Sequence, residues 1–428
     1  MAEYKKKKRG LFDAPNRPRK APPKKSGNSK KDIEMKPLKS RRQKEPKEEL
    51  KVVRGRKREN KRRNKILLAT VSAVVILIIL LQSLLPGGIF ATISRSFTLM
   101  GSGNYPYSLG STETINTVSE GSYYYLLSNT NIEAFSNSGK HLFTYTHGFE
   151  NPVLKTSADG ALVYEQGGND ILLFDLKGLS KTVKKEKSII TCAIADSGHY
   201  AIATFSDNYA SQVEVYNKNH KSVYEWYSSD DTVNNMAFSP NGKKIAVSAF
   251  NSDSGQYSSH LRVLNYKSAN PLFTREYKDG IIYSLENAFR GAFAVVLKDK
   301  VEFVTWRRYK VNEYKSDYLT TMFKRGKNGY VAVFNRKNDK TDNRIAVFSK
   351  KGKVLAEFTY KGTITDIGMW NNQVYCLSDT EILLLDSKGE ILRKSNCGFG
   401  FVSMCVSTSN SVIIMSDNKI ESIGLEKQ

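Results

Sequence analysis

Residues 237–250, AFSPNGKKIAVSAF, carry the reading on which the fold turns. Within them Ser239-Pro240-Asn241-Gly242 ends one strand in a tight turn, because an Asn-Gly pair tolerates the positive φ that such turns need. KKIAVSAF (243–250) follows as a short apolar strand, LRVLNY (261–266) as a third and the more polar PLFTREY (271–277) as a fourth. The same order recurs along the chain. Turns fall at SADG (157–160), ADSG (195–198) and KNG (327–329). Apolar second strands fall at ALVYEQ (161–166), HYAIATF (199–205), YVAVF (330–334), QVYCLS (373–378) and SVIIMS (411–416). Third strands include IEAF (132–135), ILLFDL (171–176), VEVYN (213–217), VEFVTW (301–306), RIAVFS (344–349) and EILLLDS (381–387).

Eight such units can be laid out from about Ile115, roughly 40 residues apart. A four-strand unit at that period predicts an all-β fold, a β-propeller over residues 101–425. Eight blades are favoured, and seven are the alternative because the first and fifth units are weakly patterned. The apolar inner strands suit blades stacked face to face, and the polar fourth strand suits an outer edge where charge discourages edge-to-edge pairing. The eighth unit, near Phe401–Leu425, has only three strands. Its missing outer strand is expected from Phe97–Leu109, overlapping a linker assigned to residues 86–100, so that both ends of the repeat region meet in one blade.

Upstream, residues 66–85, ILLATVSAVVILIILLQSLL, hold no charge. As a helix they would span roughly 30 Å, the thickness of a bilayer's hydrocarbon core, and they predict one transmembrane helix. A signal peptide has a shorter apolar core and leader. Charge gives the orientation. Residues 1–65 contain 27 of the 66 basic and 8 of the 42 acidic residues, a net of +19, whereas the remaining 363 residues net only +5. Residues 51–65 carry nine Lys/Arg against one Glu, and Leu85–Met100 carries only Arg95. The expectation is a cytoplasmic N-terminus and an extracytoplasmic propeller at the cell membrane.

Residues 1–65 hold six of the eleven prolines and show little apolar periodicity. Such a segment cannot bury enough surface to offset its ordering entropy, and it reads as a disordered basic tail. The cluster Arg54, Arg56, Lys57, Arg58, Lys61, Arg62, Arg63 and Lys65 beside the span is expected to meet anionic lipid headgroups, at about 1 kcal/mol per residue. Nucleic acid ranks well behind as a partner, because no aromatic platform or Gly-Arg repeat accompanies the charge.

The stretch at 237–250 resembles the FSPDG-type repeat of WD40-like and TolB-like propellers, with Asn241 where Asp is usual. The Trp-Asp pair of true WD40 repeats is absent. GSGNYPYSL (101–109), THGFENPVLKTSADGALVYEQGGNDILLFD (146–175) and VEVYNKN (213–219) with EWYSSDD (225–231) resemble an uncharacterised domain-of-unknown-function family from Gram-positive bacteria. That resemblance implies a propeller-like, single-span membrane protein over about Gly101–Leu425 and carries no activity.

Catalytic signals are lacking. The five histidines show no HExxH or His-x-His spacing, and neither a GxSxG elbow nor a GxxxxGK[ST] loop occurs. Cys192, Cys376, Cys397 and Cys405 form no CxxC pair and read as unpaired, mostly buried thiols. The acidic cluster at Ser228–Asp231 lacks calcium-loop spacing and reads as solvated turn. No catalytic residue, metal site or cofactor is assigned, and the Trp-rich repeat expected of quinone-binding propellers is missing. An extracytoplasmic hydrolase or lyase with a central-channel site stays as the alternative, since propeller sites assemble from distant blades. A channel without converging titratable groups would dispose of it.

Most aromatics, among them Tyr123–Tyr125, Tyr224, Trp226, Tyr227, Trp306 and Trp370, read as packing between blades. Recognition is expected on loops. The longest connections between second and third strands are SDNYASQ (206–212), NSDSGQYSSH (251–260) and NRKNDKTDN (335–343), on the face that also carries the links between blades. Tyr209, Asp230, Asp253, Tyr257 and Arg336 are the candidate contacts for a protein or cell-wall glycan, in a molecule read as a binding or scaffold module.

Overall fold

Eight antiparallel sheets follow one another around a ring. The computed structural model describes residues 62–79, 88–110, 112–158, 160–253, 255–268, 270–278, 280–286 and 291–427. Blades 1 to 7 occupy residues 114–146, 152–184, 189–228, 232–278, 284–315, 319–361 and 366–396. Blade 8 takes its three inner strands from residues 403–424. Strands within a blade are called a to d, from the channel outward.

The strand patterns explain the stacking. Strand b of blade 1, Tyr123–Ser128, is buried along its whole length, and strand c of blade 2, Asp170–Asp175, is buried at its four central residues. Both faces of such a strand lie against a neighbouring blade, so an uninterrupted apolar run is required where a half-exposed strand would alternate. Outer strands alternate instead, as in His141–Thr146, whose residues are mostly in contact with water. Apolar clusters fill every seam of the ring, including that between blades 8 and 1, where Tyr124, Phe135, Ile413, Met415 and Ile420 are fully buried. Each side chain of this kind contributes about 1.5–3 kcal/mol over leaving it exposed.

The ring closes where the repeat region begins. Tyr107–Ser108 supplies strand d of blade 8, pairing Tyr107 with Ile420 and Ser108 with Lys419. The amide of Leu109 donates to the carbonyl of Asn418 at 2.8 Å. The 86–100 segment does not contribute this strand: Gly88–Leu99 is a helix. Leu99 packs against the apolar seam of blades 1 and 2, and Lys140 Nζ donates to the carbonyls of Thr98 at 2.8 Å and Met100 at 2.9 Å. Gly103 passes so close to blade 1 that a Cβ there would overlap the carbonyl of Gly139.

One blade departs from the four-strand unit. Glu426–Lys427 adds a fifth strand outside Ile391–Asn396 in blade 7. Blade 8 delivers the chain beside that edge, and the buried Leu425 holds it there.

Residues 62–79 are helical. No helix among the described residues is long and apolar enough to cross a membrane. The end of the expected span, residues 80–85, lies outside the described residues, as do residues 1–61 with Arg54, Arg56, Lys57, Arg58 and Lys61. Arg62, Arg63 and Lys65 are exposed on the helix.

Candidate functional site

The topology gives the ring two unlike faces. The a–b and c–d turns share one, the turn face. The b–c connections and the links between blades share the other, the loop face. The helix Gly88–Leu99 reaches blade 1 beside Ser138–Lys140, a c–d turn, and therefore sits at the turn face.

Exposed aromatic side chains divide sharply between the faces. Among the described propeller residues, Phe205, Tyr209, Tyr227, Tyr257, Tyr283 and Phe399 are the exposed aromatics, and all six lie on the loop face. Phe399 is 82% exposed between Gly398 and Gly400, whose positive φ values fold the link so that the ring projects. Exposed apolar residues near the turn face are aliphatic and stand at the starts of outer strands, as Val354 and Ile391 do.

Two of the three expected loops are in fact strands. In blade 4, strands b and c run as Lys244–Asp253 and Gln256–Asn265 and stay paired to Asp253 opposite Gln256. In blade 6 the ladder reaches Arg336 opposite Asp339. Their polar tips, residues 255–257 and 336–341, stand clear of the blade and are exposed. Blade 5 lies between them and turns tightly, with the Leu297 amide donating to the Lys300 carbonyl at 2.9 Å.

The step from the blade 4 hairpin down to blade 5 borders a cleft of about 900 Å³. Tyr257, Tyr283, Arg275, Lys278, Lys298 and Lys300 are among the side chains that line it. Beneath it, Glu302 is fully buried and accepts hydrogen bonds from Tyr277 at 2.7 Å, Lys300 at 2.9 Å and Arg275 at 3.0 Å. Glu313 takes a second bond from Lys300 at 3.1 Å. Burial works against the charges of Arg275 and Lys300, but the nearby carboxylates outweigh it and raise both pKa values. Burial, reinforced by Glu302, raises that of the Tyr277 hydroxyl, which stays a donor. A buried carboxylate with three donors holds its cations in fixed positions.

The five candidate residues spread over the loop face. Tyr257 lines the cleft. Tyr209 packs at a tilt against Tyr227, with ring centroids 4.9 Å apart, over blade 3. Asp230 is exposed in the link between blades 3 and 4. Asp253 ends strand b of blade 4, and Arg336 reaches Asp342 at 3.6 Å. Local sequence gave no sign of Arg275, Tyr283, Lys298, Glu302 or Phe399, although the Gly398-Phe399-Gly400 triplet was a usable signal. Asp231, beside the candidate Asp230, is buried against Arg262 Nη2 at 2.7 Å and His260 Nδ1 at 3.2 Å, and it ties blade 3 to blade 4. The expected packing aromatics are buried or partly buried, apart from the exposed Tyr227. All four cysteines are free.

The channel carries charge. Asp366 accepts from Lys324 at 2.7 Å, from Ser403 at 3.3 Å and from the amides of Ile367 and Met404 at 2.7 and 2.8 Å. So many donors make it a lock between blades 6, 7 and 8. Nearer the turn face, Glu120 and Glu286 are half-buried and ringed by protein. Loss of bulk solvent raises the pKa of both, with Arg325 opposing the shift. Among the described residues no group of three or more His, Cys, Asp or Glu could hold a metal ion.

The profile of a family described as "Family of unknown function (DUF5711)" matches residues 106–425. No curated protein matches the chain. Three solved structures are similar to the chain at low identity. BamB from Moraxella catarrhalis is 12% identical, with a TM-score of 0.46 over 73% of this chain and 99% of that one. Apo AztD from Citrobacter koseri is 12% identical, with a TM-score of 0.48 over 74% and 90%. A eukaryotic initiation factor is 11% identical, with a TM-score of 0.50 over 78% and 92%. At such identities likeness bears on the fold alone.

Proposed function

The chain belongs to the DUF5711 family of unknown function, and on that premise we propose that its propeller is a binding module that captures a protein partner on the loop face. One observation carries the reading: every exposed aromatic of the described propeller residues lies there. Aromatic side chains dominate the buried centres of protein interfaces, whereas scattered aliphatics on a surface are ordinary.

The module is held at the cell membrane by residues 66–85, with the tail in the cytoplasm and the ring outside. The uncharged run and its basic flank support this part of the proposal. Arg62, Arg63, Lys65 and their neighbours toward the N-terminus contact anionic headgroups. The chain enters the ring through a helix on the turn face, which leaves the loop face open to a partner. A cell-wall glycan is the other occupant considered for this face.

Replacing the six aromatics with serine tests the module. In-cell crosslinking should recover protein partners with the wild-type chain and lose them with the variant, while thermal unfolding of the two coincides. Unchanged recovery from the variant rejects the reading.

A hydrolase or lyase is the second reading, favoured by the raised pKa values of Glu120 and Glu286 in the channel. Turnover of chromogenic esters or glycosides that disappears in Glu286→Gln would support it.

A further inference from the structure

The cleft over blade 5 narrows the choice of partner, and this step rests on the loop face being the protein-binding face. Several of its charges are already spent on one another. Lys315 pairs with Asp299 at 3.8 Å, Arg344 with Asp317 at 2.6 Å, and Arg275 and Lys300 with Glu302 and Glu313. Among the described residues, the lining side chains left without an ion pair or hydrogen bond include the exposed Lys278 and Lys298, with Glu276 their one acidic counterpart. Among these unpaired lining residues the balance is one positive charge.

The shape favours a chain-like occupant. Strand d of blade 4 stops at Lys278, opposite Ser258. The hairpin continues to Gln256 and Tyr257, and among the described residues no outer strand pairs with those two. An extended segment could continue the ladder there. Tyr257 and Tyr283, each about half exposed, both line the cleft.

We infer that the cleft between the blade 4 hairpin and blade 5 docks an extended acidic segment of a partner protein that carries an aromatic side chain. The carboxylates would meet Lys278 and Lys298, and the aromatic ring would lie on Tyr257 and Tyr283. Arg275 and Lys300, fixed by Glu302, would hold the floor.

A phage-displayed library of random peptides, selected on the purified full-length chain, tests this directly. The expected outcome is enrichment of peptides rich in Asp and Glu with an aromatic residue. Affinity for the selected peptide should drop about tenfold in Tyr257→Ala and in Lys298→Glu, survive in Lys298→Arg, and fall with added salt. Circular dichroism and thermal unfolding establish that each variant folds. Enrichment without acidic character, or equal affinity in the cleft variants, overturns the inference. So does inorganic polyphosphate that competes fully while Tyr257→Ala binds normally, since charge alone would then account for binding. If the cleft variants bind like wild type while the serine variant of the six aromatics loses its partners in cells, only the cleft assignment falls.

Discussion

Tyr107 and Ile420 pair backbone to backbone, joining the segment that enters the ring to the last blade before the chain ends. The Tyr107 ring also meets Phe135 edge-on at 4.9 Å and stacks on His141 at 5.7 Å in blade 1. One residue therefore closes the eighth sheet and fastens it to the first. Tyr107→Ala should lower the unfolding free energy by about 1–3 kcal/mol, since it removes a partly buried ring and its aromatic contacts. Urea titration followed by circular dichroism measures the loss. A change below about 0.5 kcal/mol would mean that closure does not depend on this contact.

Glu302 and Glu313 share cations but differ in burial, so their removal should cost different amounts. Glu302→Ala leaves the buried Tyr277 hydroxyl without its acceptor and Arg275 and Lys300 with Glu313 alone, and is expected to cost about 1–3 kcal/mol. Glu313 is 42% exposed, and Glu313→Ala should cost less than about 1 kcal/mol. Equal losses on denaturant titration would contradict the stated role of burial.

Channel carboxyls should give stability an unusual pH dependence. Glu120 and Glu286 have folded pKa values above the ordinary 4.5. In the window above that value the native state binds more protons than the unfolded state, so their contribution makes stability fall as pH rises and recover on mild acidification. At lower pH the sign reverses. Asp386, for example, is held below its usual range by the amides of Glu390 and Lys388 and loses that support when protonated. Melting temperature against pH should show the recovery in wild type and a smaller one in Glu120→Gln with Glu286→Gln. Identical profiles would remove the channel groups as its cause.

Lys140 holds the helix Gly88–Leu99 by its last carbonyls. Lys140→Met keeps most of the side chain's length and removes the donor and the charge. It should cost about 1 kcal/mol and speed amide exchange over residues 88–99, with the blades unaffected. Exchange that stays slow there would show that Leu99 packing alone suffices.

Much of the ring was legible because its signals are local. Asn241-Gly242 and its counterparts mark turns, and runs such as Ile171–Phe174 mark strands with no solvent face. Closure near Tyr107 followed from an eighth unit that lacked a strand. The tall hairpins were not legible, since Asn251–His260 holds no apolar alternation and its tip, Gln256 and Tyr257, stands in water. The cleft was hidden for another reason. It comes from the difference in height between neighbouring blades, and Tyr257 and Lys298 carry no mark of having met. Phe399 carries no local mark beyond its flanking glycines, a pattern common to any tight turn, and the two-residue strand Glu426–Lys427 is too short to show a pattern.

Placement of the binding surface is the claim on which the functional account stands, and a photo-crosslinking scan in living cells tests it most directly. A photoreactive amino acid would be placed singly at Tyr209, Tyr257, Tyr283 and Phe399 on the loop face, and at Leu179, Val354 and Ile391 near the turn face. The account predicts a discrete protein adduct from loop-face positions only. Adducts confined to Leu179, Val354 and Ile391 would contradict it.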